Sequence, residues 1–437
     1  MPARDPIQEF MTFNRPFARR NPELLRFKVA RMAEGPFAFF RGTFHLFARD
    51  VLDKNLQPLQ LLKGDGLEMD LVGDIHSENY GTYKAADGVV HYDINDFDET
   101  TRGRFDFDVC RQATSLFLAA RDGGESLARA VQVPLAFLAT YIDTVHRLLK
   151  RGKDPEFDVS AAASCGCPPV DGLLASTTAG KRPAFIARLT ELRDGRRRLL
   201  RSTHYFNLPD DERTQAERLL TDYVKRHPQA KEIEGYYRIE DVCGRVSGIG
   251  SMGRLRYVVL VGGKGSAEGR NLLLEFKEAR PSAYDLYRNR DTEASALVGR
   301  AERVIEMQQR SQAASSGHLG FAVDGPLSFQ ARELGPADAR VDARGLKGTD
   351  GLTCVARVQA SILARTHARS AMRAVGPANP LAELADADAF SQRVLAFALG
   401  YADIARRDWT RFVGARAEIE DVASWGAVPD ASESSSL

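Results

Sequence analysis

The sequence predicts an α+β protein in which a helical block, a short β-rich block and a closing helical block are laid end to end. Three observations predict it. Apolar residues recur at helical spacing before residue 60 and again beyond residue 341. β-Branched runs punctuated by glycine cluster between residues 236 and 340. A strand–turn–strand pattern breaks into the first helical block just after Met69.

Residues 15–60 read as helix through Leu24, Leu25, Phe27, Val29 and Met32, with Gly35-Pro36 interrupting before Phe37–Val51 resumes. Tyr80–Tyr83 and Val89–Ile94 flank Ala86-Asp87-Gly88, a hairpin signal. Helices follow over Asp108–Arg121 and Ser126–Lys150, where Pro134 is a candidate break. Residues 151–182, rich in Gly, Ser, Ala and Pro, read as a long surface loop. Ala184–Leu200 and Asp210–His227 read as helices, so Arg196-Arg-Arg198, with Arg193 and Arg201, becomes a solvated helix face, with binding of an anionic substrate the alternative. Arg254–Val261 and Asn271–Phe276 are strands joined through Gly262–Ser266. Helix returns at Ala294–Ala314 and extended chain at Leu327–Leu334. The chain closes with helices at Leu352–Arg373 and Ala387–Val413 and a serine-rich tail, 431–437, expected to be disordered.

Composition excludes several classes. Sixty Lys and Arg nearly cancel 59 Asp and Glu, so no global field draws nucleic acid or an anionic membrane. The most apolar stretch, Val133–Ile142, is far short of a bilayer span, and no apolar run follows the first residues as a signal peptide would. Five cysteines are too few for a disulfide scaffold, and Cys165-Gly-Cys167 lacks a second ligand pair at zinc spacing. The expectation is a cytoplasmic protein with no nucleic-acid or membrane partner.

The chemistry concentrates in two constellations. The first is Gly73-Asp74-Ile-His76-Ser-Glu-Asn79, followed one hairpin later by Asp96-Phe97-Asp98. Phosphoryl transfer from ATP needs one carboxylate at the attacking hydroxyl, with an amide oxygen and a second carboxylate holding magnesium. Protein kinases set the base Asp five residues before the metal Asn, with the metal Asp beyond a hairpin. Asp74 and Asn79 keep that spacing, and Asp96 lies beyond the hairpin. Asp and Asn beside glycine also serve as plain turn residues. Gly-Asp-x-His opens a two-metal phosphoesterase signature too, but none of the eight histidines supplies its downstream Asn-His or His-x-His ligands.

The second constellation is Gly248-Ile-Gly250-Ser251-Met-Gly253, a glycine run followed by strand-forming residues rather than a helix. A glycine loop between strands covers ATP phosphates in kinase-like folds, because backbone N–H groups approach where side chains are missing. Lys277, in Leu272-Leu-Leu-Glu-Phe-Lys277, matches the strand lysine that contacts the α- and β-phosphates, with Glu306 as its expected helix partner and Glu302 the alternative. A surface lysine at a strand end and a solvated helix glutamate are the plainer readings. The constellations stand in inverted order, base and metal residues first and glycine loop about 150 residues later. The sequence therefore predicts a circularly permuted, two-lobed kinase-like fold. Residues 1–235 and 341–430 would form the helical lobe, and 236–340 the small antiparallel β lobe with one helix.

Eight segments carry a resemblance that spans about residues 13–412. They include Pro36-Phe-Ala-Phe-Phe-Arg41-Gly, Gly73–Gly81, Asp93–Glu99, Asp108-Val-Cys-Arg-Gln, Val246–Gly253, Phe276–Ser282, Arg303–Gln308 and Leu363–Ser370. The chain resembles the bacterial family catalogued as domain of unknown function 2252, which is similar to aminoglycoside phosphotransferases with their Gly-Asp-x-His-x-x-Asn loop and Asp-x-Asp motif. That resemblance implies Asp74 as base, Asn79 and Asp96 as magnesium ligands, Asp98 as a further ligand, and His76 as a brace for the loop. It implies that Asp108 caps its helix and ties down the catalytic loop, and that Arg41 pairs with one of these carboxylates. Asp98 stands where protein kinases carry Gly, and the Arg that precedes their base is missing, so activation-loop control is not implied. The expected function is ATP- and magnesium-dependent phosphotransfer to a hydroxyl of a small molecule or protein. AMP transfer by the same site, or a catalytically silent ATP-binding protein, are the alternatives.

Overall fold

The protein is mixed α+β, and its sheets are antiparallel. The computed structural model describes residues 4–53, 67–151, 156–226, 235–248, 252–263, 270–288, 296–346, 348–373, 379 and 381–425. Four helices come first: α1 (Pro6–Arg20), α2 (Pro22–Met32), α3 (Pro36–Gly42) and α4 (Phe44–Leu52). Three of them open on proline, whose fixed φ suits a first helical turn. Strand β1 (Met69–Leu71) pairs with β4 (Thr101–Gly103) and brackets the hairpin of β2 (Tyr80–Lys84) and β3 (Val90–Ile94). Helices α5 (Phe105–Asp122) and α6 (Leu127–Lys150) follow, the latter running through Pro134 without a break.

The segment read as a long loop contains α7 (Pro168–Thr178), and α8 (Arg182–Leu189) ends where the hairpin β5 (Thr190–Arg193) and β6 (Arg196–Leu199) begins. The predicted helix Ala184–Leu200 is therefore half hairpin. Asp194-Gly195 explains it: both residues have positive φ, as a two-residue hairpin turn requires. Arg197 is consequently buried against Thr190, and Arg198 donates to the Glu240 carbonyl, instead of lining a solvated helix face. Cys167 is joined to Cys354 in a disulfide, a single cross-link that the reading of Cys165-Gly-Cys167 as loop did not anticipate.

Beyond β7 (Tyr205–Phe206) and α9 (Asp210–Arg226) come β8 (Ile239–Arg245), β9 (Arg256–Val261) and β10 (Leu272–Ala279). The short α10 (Ala283–Tyr287) and α11 (Ala296–Ser311) precede β11 (Gly320–Asp324) and β12 (Leu327–Glu333). The sheet runs β11-β12-β10-β9-β8-β7. Strand alternation splits it into two faces. Tyr257, Val259, Leu272, Leu274 and Phe276 pack against Ala216, Leu219, Leu220 and Tyr223 of α9. Cys243, Val258, Leu260 and Leu273 pack against Ile186 and Leu199 on the other face. Residues 182–226 thus pack with the sheet, not with the helical block to which the sequence assigned them. The chain ends with α12 (Gly348–Arg373), α13 (Ala387–Gly414) and α14 (Arg416–Glu420). The largest core is built from α3, α4, α5, α6, α12 and α13 together with the two small hairpin sheets. The tail 431–437 lies outside the described residues. No described helix is long and apolar enough to cross a membrane.

Candidate active site

The loop after β1 is pinned by a buried carboxylate. Asp108, in the first turn of α5, accepts the amides of Val72 at 2.8 Å and Gly73 at 3.0 Å. It does not cap its own helix, whose N-cap Arg104 makes no side-chain capping bond. His367 Nε2 lies 3.3 Å from Asp108, and the Tyr141 hydroxyl lies 2.7 Å from His367 Nδ1. Because a carboxylate only accepts, Nε2 carries the proton and Nδ1 accepts from the tyrosine. Gly73 has φ of 89°, and a Cβ there would stand 2.1 Å from the Glu99 carbonyl oxygen, so only glycine lets the two loops approach.

Three further groups of α12 reach these loops. Gln359 donates to the Ser77 carbonyl at 2.7 Å, Arg365 to Asp93 at 2.6 Å, and Ser370 Oγ accepts the Asp70 amide at 2.8 Å. Asp74 emerges from this support into a cleft of about 210 Å³. Arg111 of α5 donates to Asp74 Oδ1 through Nε at 2.8 Å and through Nη2. The guanidinium rests over the rings of Phe40, Phe44 and Phe47 at 4.1, 4.8 and 5.0 Å, a cation–π seat that holds it in place. Burial pushes the Asp74 carboxyl up to about 7; Arg111 opposes the rise, while Glu99 and Asp96 add to it.

Asn79 spends both amide hydrogens on carbonyls, those of Asp74 at 2.9 Å and Asp96 at 3.1 Å, which ties the two loops together. Its Oδ1 is left as the acceptor available to a cation. His76 Nδ1 accepts the Glu78 amide at 3.2 Å, and burial with nearby arginines keeps the ring neutral. Its place is therefore that of a loop brace. Arg41 is buried and pairs at 2.6 Å with Glu78 of the same loop, rather than with Asp74, Asp96, Asp98 or Asp108.

Lys277 of β10 crosses the cleft to the opposite wall. Its Nζ stands 2.5 Å from Asp98 Oδ2 and 3.2 Å from Asp96 Oδ1. Glu306, expected as its partner, is instead exposed on α11 and paired with Arg310 one turn on; Glu302 is exposed as well. Position in the helix decides this: Val304, Met307 and Gln308 face inward, so residues 302 and 306 face solvent. Asp98 is buried, held by Lys277, Gln330 and, at 3.6 Å, Arg254. Burial pushes its carboxyl up, but Lys277 and Arg254 prevail and keep it below the ordinary carboxylate range. Asp96 is the open member, with its side chain 46% exposed.

In the chain the glycine run falls between β8 and β9. Gly248 lines the cleft with φ of 75°, and Gly253 packs on the Phe17 ring of α1, which leaves no room for a Cβ. Gly250 and Ser251 lie outside the described residues. Asn79, Asp96 and Asp98 offer an amide oxygen and two carboxylates, hard oxygen donors that fit magnesium. Among the described residues no three acidic, histidine or cysteine side chains converge as a ready-made metal cage. A magnesium ion held here would thus take the rest of its coordination from water and substrate oxygens.

Sequence reasoning missed Arg111, the Arg254–Glu99 pair at 2.6 Å, and a buried cluster at Glu275. Glu275 accepts from Arg245, from Arg256 Nη1 at 3.2 Å and from Arg332 Nε at 3.1 Å. A signal for the last was present: Glu275 interrupts an apolar strand two residues before Lys277, hence on the same face.

The chain belongs to a family described as uncharacterised proteins conserved in bacteria, domain of unknown function 2252, whose sequence profile matches residues 20–415. No curated protein and no solved structure matches the chain.

Proposed function

We propose that the protein is an ATP- and magnesium-dependent phosphotransferase, built as a circularly permuted, two-lobed kinase-like fold, which moves the γ-phosphoryl group to a hydroxyl acceptor. One observation carries this reading. Lys277 and Asp96, 181 residues apart, meet across a cleft that also holds Asp74, Asn79 and Asp98. The order of elements around Lys277 supports it: two strands flanking the glycine run, the lysine strand, the short α10, the longer α11 and two more strands, where the nucleotide lobe of protein kinases has strands, a helix and strands in the same order.

In this reading the acceptor hydroxyl oxygen attacks the γ-phosphorus, the bond to the β,γ-bridging oxygen breaks, and ADP leaves. Asp74 takes the hydroxyl proton at Oδ2, because Arg111 occupies Oδ1 and orients the carboxyl. Asn79 Oδ1, Asp96 and Asp98 would hold magnesium, which neutralises charge on the phosphate oxygens when bound. Lys277 positions the nucleotide phosphates, exchanging its present carboxylate partners for phosphate oxygens. Gly248, on the cleft wall, has no side chain to keep the phosphates from the backbone. Arg111, Asp108 and His76 act through the groups they hold and are positioning residues.

The test is calorimetry of Mg-ATP binding together with a coupled assay of ADP release against a panel of hydroxyl compounds. Lys277→Met and Asp96→Asn should each reduce both signals at least a hundredfold with melting temperature retained. Wild-type protein that binds no Mg-ATP, or variants that bind and turn it over unchanged, would overturn the proposal.

A further inference from the structure

The cleft carries a second set of charges that the phosphotransfer reading leaves unused. Glu275 and Lys277 lie two residues apart on β10 and share the face of the sheet that looks into the cleft. Across the ladder, Lys277 stands opposite Arg256 and Gln330, and Glu275 opposite Arg332. Arg245 at the end of β8 completes the group. All four charged residues, Arg245, Arg256, Arg332 and Glu275, line the cleft.

Their burial is steep and ordered. Glu275 is 1% exposed, the side chains of Arg256 and Arg245 are 7% and 16%, and that of Arg332 is 27%. The carboxylate is thus at the bottom, and the guanidiniums rise from it toward the opening. One glutamate cannot neutralise three arginines. Asp338 stands 3.5 Å from Arg332, and the charges of Asp98 and Asp96 reach Arg256 and Arg332 from the neighbouring wall. Burial, Arg245 and Arg332 work against the charge on Arg256 while Glu275 and Asp98 favour it, and three guanidiniums set on Glu275 and Asp338 leave the floor with a local cationic excess.

Buried like charges of this kind are costly unless something compensates them. Glu275 gathers the three guanidiniums side by side, as a carboxylate beneath an anion site does. The carboxylate wall is already engaged by its own cations, Lys277 with Asp96 and Asp98, and Arg254 with Glu99 and Asp98.

We propose that Arg245, Arg256 and Arg332, set on Glu275, form a phosphate-binding subsite on the sheet floor of the cleft, distinct from the metal side, that takes a second phosphoryl group of the reacting ligands. It rests on the phosphotransferase reading only in placing a phosphate-bearing ligand in this cleft. The phosphoryl group is either part of the nucleotide's own polyphosphate chain or a phosphate carried by the acceptor, and the chemistry recognised is the same.

The probe is inorganic tripolyphosphate, titrated calorimetrically into the full-length protein in EDTA, so that no metal site contributes. Wild type should bind, and Arg332→Gln should weaken binding at least tenfold. Arg406→Gln, which removes the same charge from an exposed helix position, should change it less than twofold. Competition between Mg-ATP and tripolyphosphate assigns the subsite to the nucleotide's chain; simultaneous binding of both assigns it to a phosphorylated acceptor. Absence of tripolyphosphate binding by wild type, or equal effects of the two variants, overturns the subsite. ATP turnover without tripolyphosphate binding would reject the subsite and keep the function; binding without any turnover would do the reverse. Should Arg332→Gln fail to fold, phenylglyoxal modification of wild type read by peptide mass spectrometry carries the test. Arg332 should be labelled in free protein and protected by tripolyphosphate, and equal labelling would refute the subsite.

Discussion

Replacing Asp74 by Asn should change not only catalysis but the way stability depends on pH. Burial raises the folded-state carboxyl from an ordinary 3.8 to about 7. The folded protein therefore holds this proton more tightly than the unfolded chain does. A raised carboxyl contributes stability that is fully present below the unfolded value, is lost as pH rises through the interval, and is gone above the folded value. Each pH unit between the two values is worth about 1.4 kcal/mol, so the loss amounts to roughly 4 kcal/mol between pH 4 and pH 7. The Asp74 side chain is 18% exposed, and solvent screening trims this toward about 3 kcal/mol. Asn does not titrate, so the difference in unfolding free energy between wild type and Asp74→Asn should move by that amount across the interval and stay flat above pH 8. The constant offset from leaving Arg111 without its carboxylate cancels from this comparison. Urea denaturation of both proteins at four pH values in EDTA measures it. A difference that is flat from pH 4 to 8 would refute the reasoning, because Asp74 would then titrate alike in folded and unfolded chains.

Glu306→Gln should leave Mg-ATP affinity and turnover within twofold, since Glu306 meets only Arg310 on an exposed face; a tenfold loss would restore it as the partner of Lys277. Asp108→Ala removes the acceptor for two loop amides and His367, and should cost about 3 to 5 kcal/mol in urea denaturation. Gly73→Ala adds a Cβ at positive φ against the Glu99 carbonyl and should cost at least about 2 kcal/mol, measured as a lowered urea midpoint.

The residues read most directly from the sequence are those whose chemistry fixes their spacing within one loop. Asp74, Asn79, Asp96 and Asp98 stand close along the chain, and a hairpin of ordinary length brings them to one wall. Lys277 was legible because a lysine within an apolar strand demands a partner. Its partner was not legible: the choice between Glu306 and the Asp96–Asp98 pair depends on where α11 turns its faces. Arg111 escaped notice because an arginine inside a helix pattern reads as surface until its seat on three phenylalanines is known. In the fold, Asp194-Gly195 is a hairpin signal that lay within an arginine-rich stretch of helical appearance. The helix Pro168–Thr178 was hidden by the small residues that surround it, which weaken both apolar periodicity and helix propensity.

The wiring from α12 to the early loops sets the timetable of synthesis. Ser370, Gln359, Arg365 and His367 bond to groups encoded some 260 to 300 residues before them. While the ribosome is still translating the sheet, the segment around Asp74 has none of these supports and keeps its polar backbone open to water. Long-range closures of this kind are slow and leave partly built chains vulnerable. Cleavage or premature termination ahead of residue 348 should thus yield a chain with every carboxylate of the cleft in place but without the bonds from α12 that brace their loops.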